Sequence, residues 1–141
     1  MVRAVEHHLN TAATGFNARR MQPFLAFTVM PFAVQIADEF LPFQDHDSLE
    51  EALLRYQAVL AGKGVSALQP HVRALELPRQ GRFRLWVEMV FLRGAEPLPQ
   101  TSAAILYARD TGRGPMLEMV QFLRCAHPGL KRLIAPRVTR H

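Results

Sequence analysis

A chain of 141 residues is one domain's worth of sequence, long enough to bury a core without staples. Its 49% hydrophobic and 21% charged residues exclude a disordered chain, and its single cysteine, Cys125, excludes an internal disulfide framework and a cysteine-based zinc site. Lys and Arg number 17 against 12 Asp and Glu, a net charge of +5, but no acid follows Glu118 while Arg124, Lys131, Arg132, Arg137 and Arg140 do, so the excess sits at the C-terminus. That distribution predicts one near-neutral domain over 1–124 and a solvated basic tail over 125–141, not a specific nucleic-acid surface.

Residues 2–20 place Val2, Val5, Leu9, Ala12, Ala13 and Phe16 on one stripe of a 3.6-residue period, which predicts a first helix weakened locally by Gly15. Pro23 suits the first turn of a new helix, and 23–30 reads as a short, apolar and therefore buried second helix closed by Pro31. Residues 32–36 and 40–43 flank Ala37, Asp38 and Glu39 and predict a small hairpin, with Pro42 confining its second strand to an edge. Ser48 and Glu51 have the spacing of a capping box. The helix it opens carries Leu49, Ala52, Leu53, Tyr56 and Leu60 on one stripe and meets the stop signals Gly62 and Gly64. Four strands follow, over 72–77, 83–92, 102–109 and 116–124, the last two joined by a turn from Asp110 to Pro115.

Both faces of that sheet are too apolar for plain solvent. In 83–92 one face is Phe83, Leu85, Val87, Met89 and Phe91; the other is Arg84, Trp86, Glu88, Val90 and Leu92. Pairing about the last turn sets Arg109 opposite Met116, Tyr107 opposite Glu118, Ile105 opposite Val120 and Ala103 opposite Phe122. One layer of helices covers one face only, which predicts a homodimer through the other.

The N-terminus has no apolar signal core, and the longest apolar stretch, 24–34, falls short of the ~20 residues of a membrane span. The expectation is a cytoplasmic protein that does not enter membranes.

The order of elements resembles the nuclear-transport-factor-2-like superfamily, the cystatin-like α+β cone shared by SnoaL-like proteins. A long helix, a short apolar helix ending at Met30-Pro31-Phe32, a hairpin over 32–43, a capped helix from Asp47 and a long antiparallel sheet carry the resemblance across 2–124. It implies N-terminal helices packed on a curved antiparallel sheet, an apolar pocket in the cone, and homodimers through the outer sheet face. The competing fold is a hot-dog, with 49–61 as a helix enclosed by sheet; Glu50, Arg55 and Gln57 on that helix and the two helices before the first strand speak against it.

Several enzymes of the superfamily place one or two carboxylates in an apolar cone, where burial raises a carboxyl pKa into a useful range. The tyrosine that one branch carries on an early helix has no counterpart in residues 2–30, so no catalytic residue carries over. The chain's own candidates are Glu118, Glu88 and Tyr107, isolated polar groups in apolar strands; the plainer reading pairs the glutamates with arginines such as Arg84 and Arg109 on the outer face. Gln35, Gln121, Phe27 and Met89 are candidates to contact a ligand in the cone. His7 and His8 point apart on a helix, and Asp45, His46 and Asp47 precede a helix start, so no metal site is expected. No phosphate loop, dinucleotide fingerprint or nucleophile elbow occurs, and no cofactor is expected. Three functions remain. The preferred one is a pocket protein for a small apolar or carbonyl-containing molecule. The others are a cofactor-free isomerase or dehydratase using Glu118 or Glu88 with Tyr107, and a dimeric interaction module with a filled cone.

Overall fold

The structure, a computed structural model, describes residues 2–127, the side chain of Val2 excepted. Of the basic tail expected over 125–141, residues 128–141 lie outside the described residues. Three helices, α1 (Val2–Asn17), α2 (Gln22–Ala26) and α3 (His46–Gly62), accompany seven strands. These are β1 (Thr28–Ile36), β2 (Glu39–Phe43), β3 (Ala67–Leu75), β4 (Arg82–Arg93), β5 (Glu96–Pro97), β6 (Ser102–Asp110) and β7 (Pro115–Arg124). They form one curved sheet ordered β2-β1-β7-β6-β4-β3, with β5 beside β4. β1 runs parallel to β7 and all other pairs are antiparallel, so the sheet is mixed rather than wholly antiparallel. Helix α3 is not enclosed by sheet: it touches α1, α2 and β2, which disposes of the hot-dog alternative.

The stripe of α1 is buried at Val5, Leu9, Ala12 and Phe16. Gly15 is required by packing: a Cβ there would meet Arg20 O at 2.6 Å and Pro23 Cγ at 2.9 Å, in the turn that folds α2 back against α1. α2 is shorter than the sequence suggests. Residues 28–30 belong to β1, where the Thr28 hydroxyl donates to Leu25 O (2.8 Å) and Leu117 N–H donates to Phe27 O (2.8 Å). Thr28 and Val29 are β-branched, and Thr28 pairs with Leu117 of β7, far along the chain and invisible to local periodicity. Pro31, preceded by a cis peptide, falls where the β1–β7 register shifts and so costs no ladder hydrogen bond.

α3 also begins earlier than the capping-box spacing predicts. Asp45 is the N-cap, in extended conformation, and its carboxylate accepts from Ser48 N–H at 2.8 Å. Ser48 is thus three residues inside, donating through its hydroxyl to Asp45 O (3.1 Å), and Glu51 pairs instead with Arg55 (2.6 Å) one turn on. Asp caps as well as Ser does, and here the extended residue is Asp45. Leu49, Ala52, Tyr56 and Leu60 form the buried face of α3.

β3 starts at Ala67, five residues before the sequence suggests, and tolerates Pro70 because it is an edge strand. The pairing of β6 with β7 departs from the simple hairpin register. A bulge between Tyr107 and Ala108 sets Tyr107 opposite Met119, Leu106 opposite Val120 and Ile105 opposite Gln121, leaving Glu118 without a facing residue. One extra residue exchanges the faces of every later side chain. Val120 and Phe122 consequently turn to the inside of the cone, and Gln121 to the outside with Ile105 and Tyr107.

Candidate functional site

The concave face of the sheet and helices α1 and α3 enclose a cavity of about 140 Å³. Aromatic rings frame it, among them Phe16, Phe32, Phe43 and Tyr56, and Met89 and Leu106 close it from the sheet. Among the described residues, Tyr56 is the one lining residue with an N or O atom in its side chain. Its hydroxyl is buried and has no hydrogen-bond partner among them. Burial pushes the phenol's pKa well above its ordinary value, and the nearby Cys125 thiol adds to the rise, so Tyr56 is a neutral donor.

The segment after β7 packs next to this tyrosine. Ala126 N–H donates to the buried Ser102 hydroxyl (2.9 Å), and the Cys125 thiol donates weakly to His127 O at 3.6 Å. The His127 ring, 9% exposed, stands edge-on to Phe91 (4.7 Å between centroids) and 6.3 Å from the Tyr56 ring. The Lys63 ammonium lies 3.5 Å from its Nδ1, and its Nε2 is buried without a partner among the described residues. Burial lowers the His127 pKa, with the Lys63 charge acting the same way. A neutral ring that accepts from Lys63 at Nδ1 carries its proton on Nε2.

The residues singled out from sequence are distributed differently. Met89 lines the cavity; Phe27, Gln35 and Gln121 do not. Phe27 is buried under His8, ring against ring at 5.0 Å. Gln35 and Gln121 are neighbours across β1 and β7, and Gln121 accepts the Tyr107 hydroxyl at 2.7 Å on the outer face. Glu88 also lies outside the cone: it pairs with Arg73, accepts from Thr101 (3.2 Å) and stands 4.0 Å from Arg124. The Arg73 and Thr101 hydrogen bonds hold its carboxyl below the usual pKa. Glu118 sits between Arg109 (3.4 Å) and Arg82 (3.6 Å), near enough for ion pairs although Arg109 Nε is not aligned for a hydrogen bond. Arg84 pairs with Glu76 (2.7 Å) and lies over the Trp86 ring at 5.1 Å. The structure therefore brings no carboxylate to the cavity among the described residues. Nor does any group of three or more His, Cys, Asp or Glu among them have the geometry to hold a metal.

Tyr56 and His127 are what the sequence reading missed. Tyr56 carried a signal, as the one hydroxyl in the apolar stripe of its helix. His127 carried none, because it follows the last strand and reaches Lys63 and Tyr56 only through the fold.

No family model matches this chain, and no curated protein matches it. Solved structures do. A nuclear-transport-factor-2-like protein of unknown function from Shewanella oneidensis MR-1 superposes with a TM-score of 0.64 at 10% identity, covering 86% of this chain and 97% of that one. A domain of unknown function with a cystatin-like fold from Nostoc punctiforme PCC 73102 gives 0.64 at 12% identity, over 93% of this chain and 81% of that one. A second cystatin-like protein of unknown function from the same organism gives 0.60 at 9% identity, over 86% and 88%. At such identities the likeness is one of fold, and on it the chain takes its place as an α+β cone of the cystatin-like, nuclear-transport-factor-2-like kind.

Proposed function

We propose that this chain binds a small apolar or carbonyl-containing molecule inside its cone, without carrying out chemistry on it. The observation that carries the reading is the cavity of about 140 Å³ walled by apolar side chains and a single neutral phenol. A cavity of that kind holds a ring-sized guest; an apolar void of roughly 150 Å³ admits benzene. The isomerase or dehydratase reading needs a carboxylate at the substrate, whereas Glu88 and Glu118 are paired with arginines outside the cone. The interaction-module reading needs a filled cone. Native mass spectrometry of the full chain as purified tests the proposal. A non-covalent adduct of one small molecule is expected, and a bare mass from several expression hosts contradicts it.

The same reading includes a homodimer through the outer sheet face. Trp86, Val90, Ile105 and Met119 make an apolar centre there. The charges around it are already paired within the chain, Glu76 with Arg84, Glu88 with Arg73, and Glu118 with Arg82 and Arg109. A second copy is a fitting cover for such a face, because apolar centre meets apolar centre and each rim brings its own counter-charges.

A further inference from the structure

Residues 125–127, just past β7, form a short strap against α3, β4 and β6. Ala126 N–H donates to the hydroxyl of Ser102, a fully buried residue at the start of β6 (2.9 Å). The Cys125 thiol turns to His127 O. The His127 ring stands edge-on to Phe91 of β4 and to Tyr56 of α3. Apart from Ala126 N–H, the strap is held chiefly by this one buried imidazole.

The charges that face the ring are all of one sign. Lys63, just past the end of α3, lies 3.5 Å from Nδ1, and Arg93 of β4 donates to the Lys63 carbonyl at 3.1 Å. Tyr56, Phe91, Ser102 and Cys125 bring no carboxylate. Glu88, the acid of β4, is engaged on the outer face with Arg73 and Thr101. No Asp or Glu follows Glu118, so the chain beyond 127 has no acidic side chain to supply. Neutral His127 accepts from the Lys63 ammonium at Nδ1. A proton added there removes the acceptor and turns the same contact into two like charges in a buried place. Nε2 already lacks an acceptor among the described residues, so the imidazolium gains nothing on its other side. It escapes both costs by moving into water, and the strap that carries it is only three residues long.

We infer that residues 125–127 are an acid-released strap, which lets go of α3, β4 and β6 when His127 takes up a proton, while the cone itself stays folded. Release frees the Ser102 hydroxyl and the Cys125 thiol and uncovers Tyr56 where His127 had packed on it. The device does not depend on the cavity holding a ligand.

Amide hydrogen exchange read by NMR on the full chain tests this. Protection at Ala126 is compared with that at Leu106 and Val120 in the sheet, each rate being divided by that of an unstructured peptide at the same pH. The wild type is measured beside His127→Phe and His127→Gln, two variants that cannot take up the proton. Between pH 7.5 and 5.5 the wild-type protection at Ala126 is expected to fall several-fold, up to the tenfold or so that one imidazole with an ordinary pKa of about 6.5 can supply once released. Leu106 and Val120 are expected to keep their protection, and the fall at Ala126 is expected to vanish in both variants. Unchanged protection at Ala126 in the wild type, or a fall of the same size in the variants, overturns the role of His127. An equal fall at Leu106 and Val120 overturns the strap, since the whole domain is then what opens.

Discussion

His127 shows how a single residue outside regular structure can matter to the fold. It is buried beside Lys63, so its protonation is opposed by both desolvation and a like charge. Tyr56 is neutral, and Cys125 turns its thiol to the His127 carbonyl, so among the described residues neither neighbour offsets that opposition. The folded His127 pKa lies below the ordinary imidazole value, and a depressed folded pKa means that the unfolded chain takes up the proton first. Its stabilising contribution is therefore complete above about pH 6.5 and lost as pH falls from there through the lower folded value. Thermal melts from pH 8 to 5 are expected to show a falling midpoint below about 6.5 that is reduced in His127→Phe. A wild-type midpoint that is flat down to pH 5, or a fall of the same size in the variant, contradicts this placement of the ring. The carboxylates with depressed pKa values, Asp45, Glu76 and Glu88, act in a separate, more acidic window. At this scale the sequence was only partly legible. It offered Ser48 as the cap of α3 where Asp45 serves, because two good capping residues three positions apart differ only in backbone conformation.

Among the elements, those with strong local periodicity were legible and those defined by distant partners were not. α1, α3 and the β6–β7 hairpin follow from their stripes, caps and turn. The start of β1 at Thr28 does not, since it rests on parallel pairing to Leu117 of β7. Of the two register shifts in the β6–β7 pair, the one at Tyr107 is the more consequential miss, because it separates Tyr107 from Glu118 and exchanges Gln121 for Val120 on the inside. No residue between 103 and 123 announces it, as the segment contains no glycine except in the turn itself. The outward face that results carries Trp86, half-buried and stacked under Arg84. Static light scattering at tens of micromolar, a usual range for a specific interface, is expected to give twice the chain mass for the wild type. Trp86→Arg is expected to give one chain mass with its circular dichroism unchanged. A monomeric wild type, or a variant that remains dimeric, contradicts the outer-face dimer.

For the molecule as a whole, the main feature of the cone is an apolar cavity of about 140 Å³, close in size to the roughly 150 Å³ void that admits benzene. The edges of the sheet are managed by ordinary means: Pro42 sits in the outermost strand β2, and Asn17 of α1 bonds both the N–H and C=O of Leu68 on β3. The general architecture was legible in the order of elements. The contact of His127 with Tyr56 was not, since it joins α3 to a residue beyond the last strand. No helix of the described residues is long and apolar enough to cross a membrane. Methyl NMR of the full chain titrated with benzene, alongside Leu106→Trp, which fills the void, tests whether the cone is a binding cavity. Saturable shifts at Leu9, Val34 and Val120 are expected in the wild type and none in Leu106→Trp. Benzene shifts that do not saturate, or that persist equally in the filled variant, would contradict it.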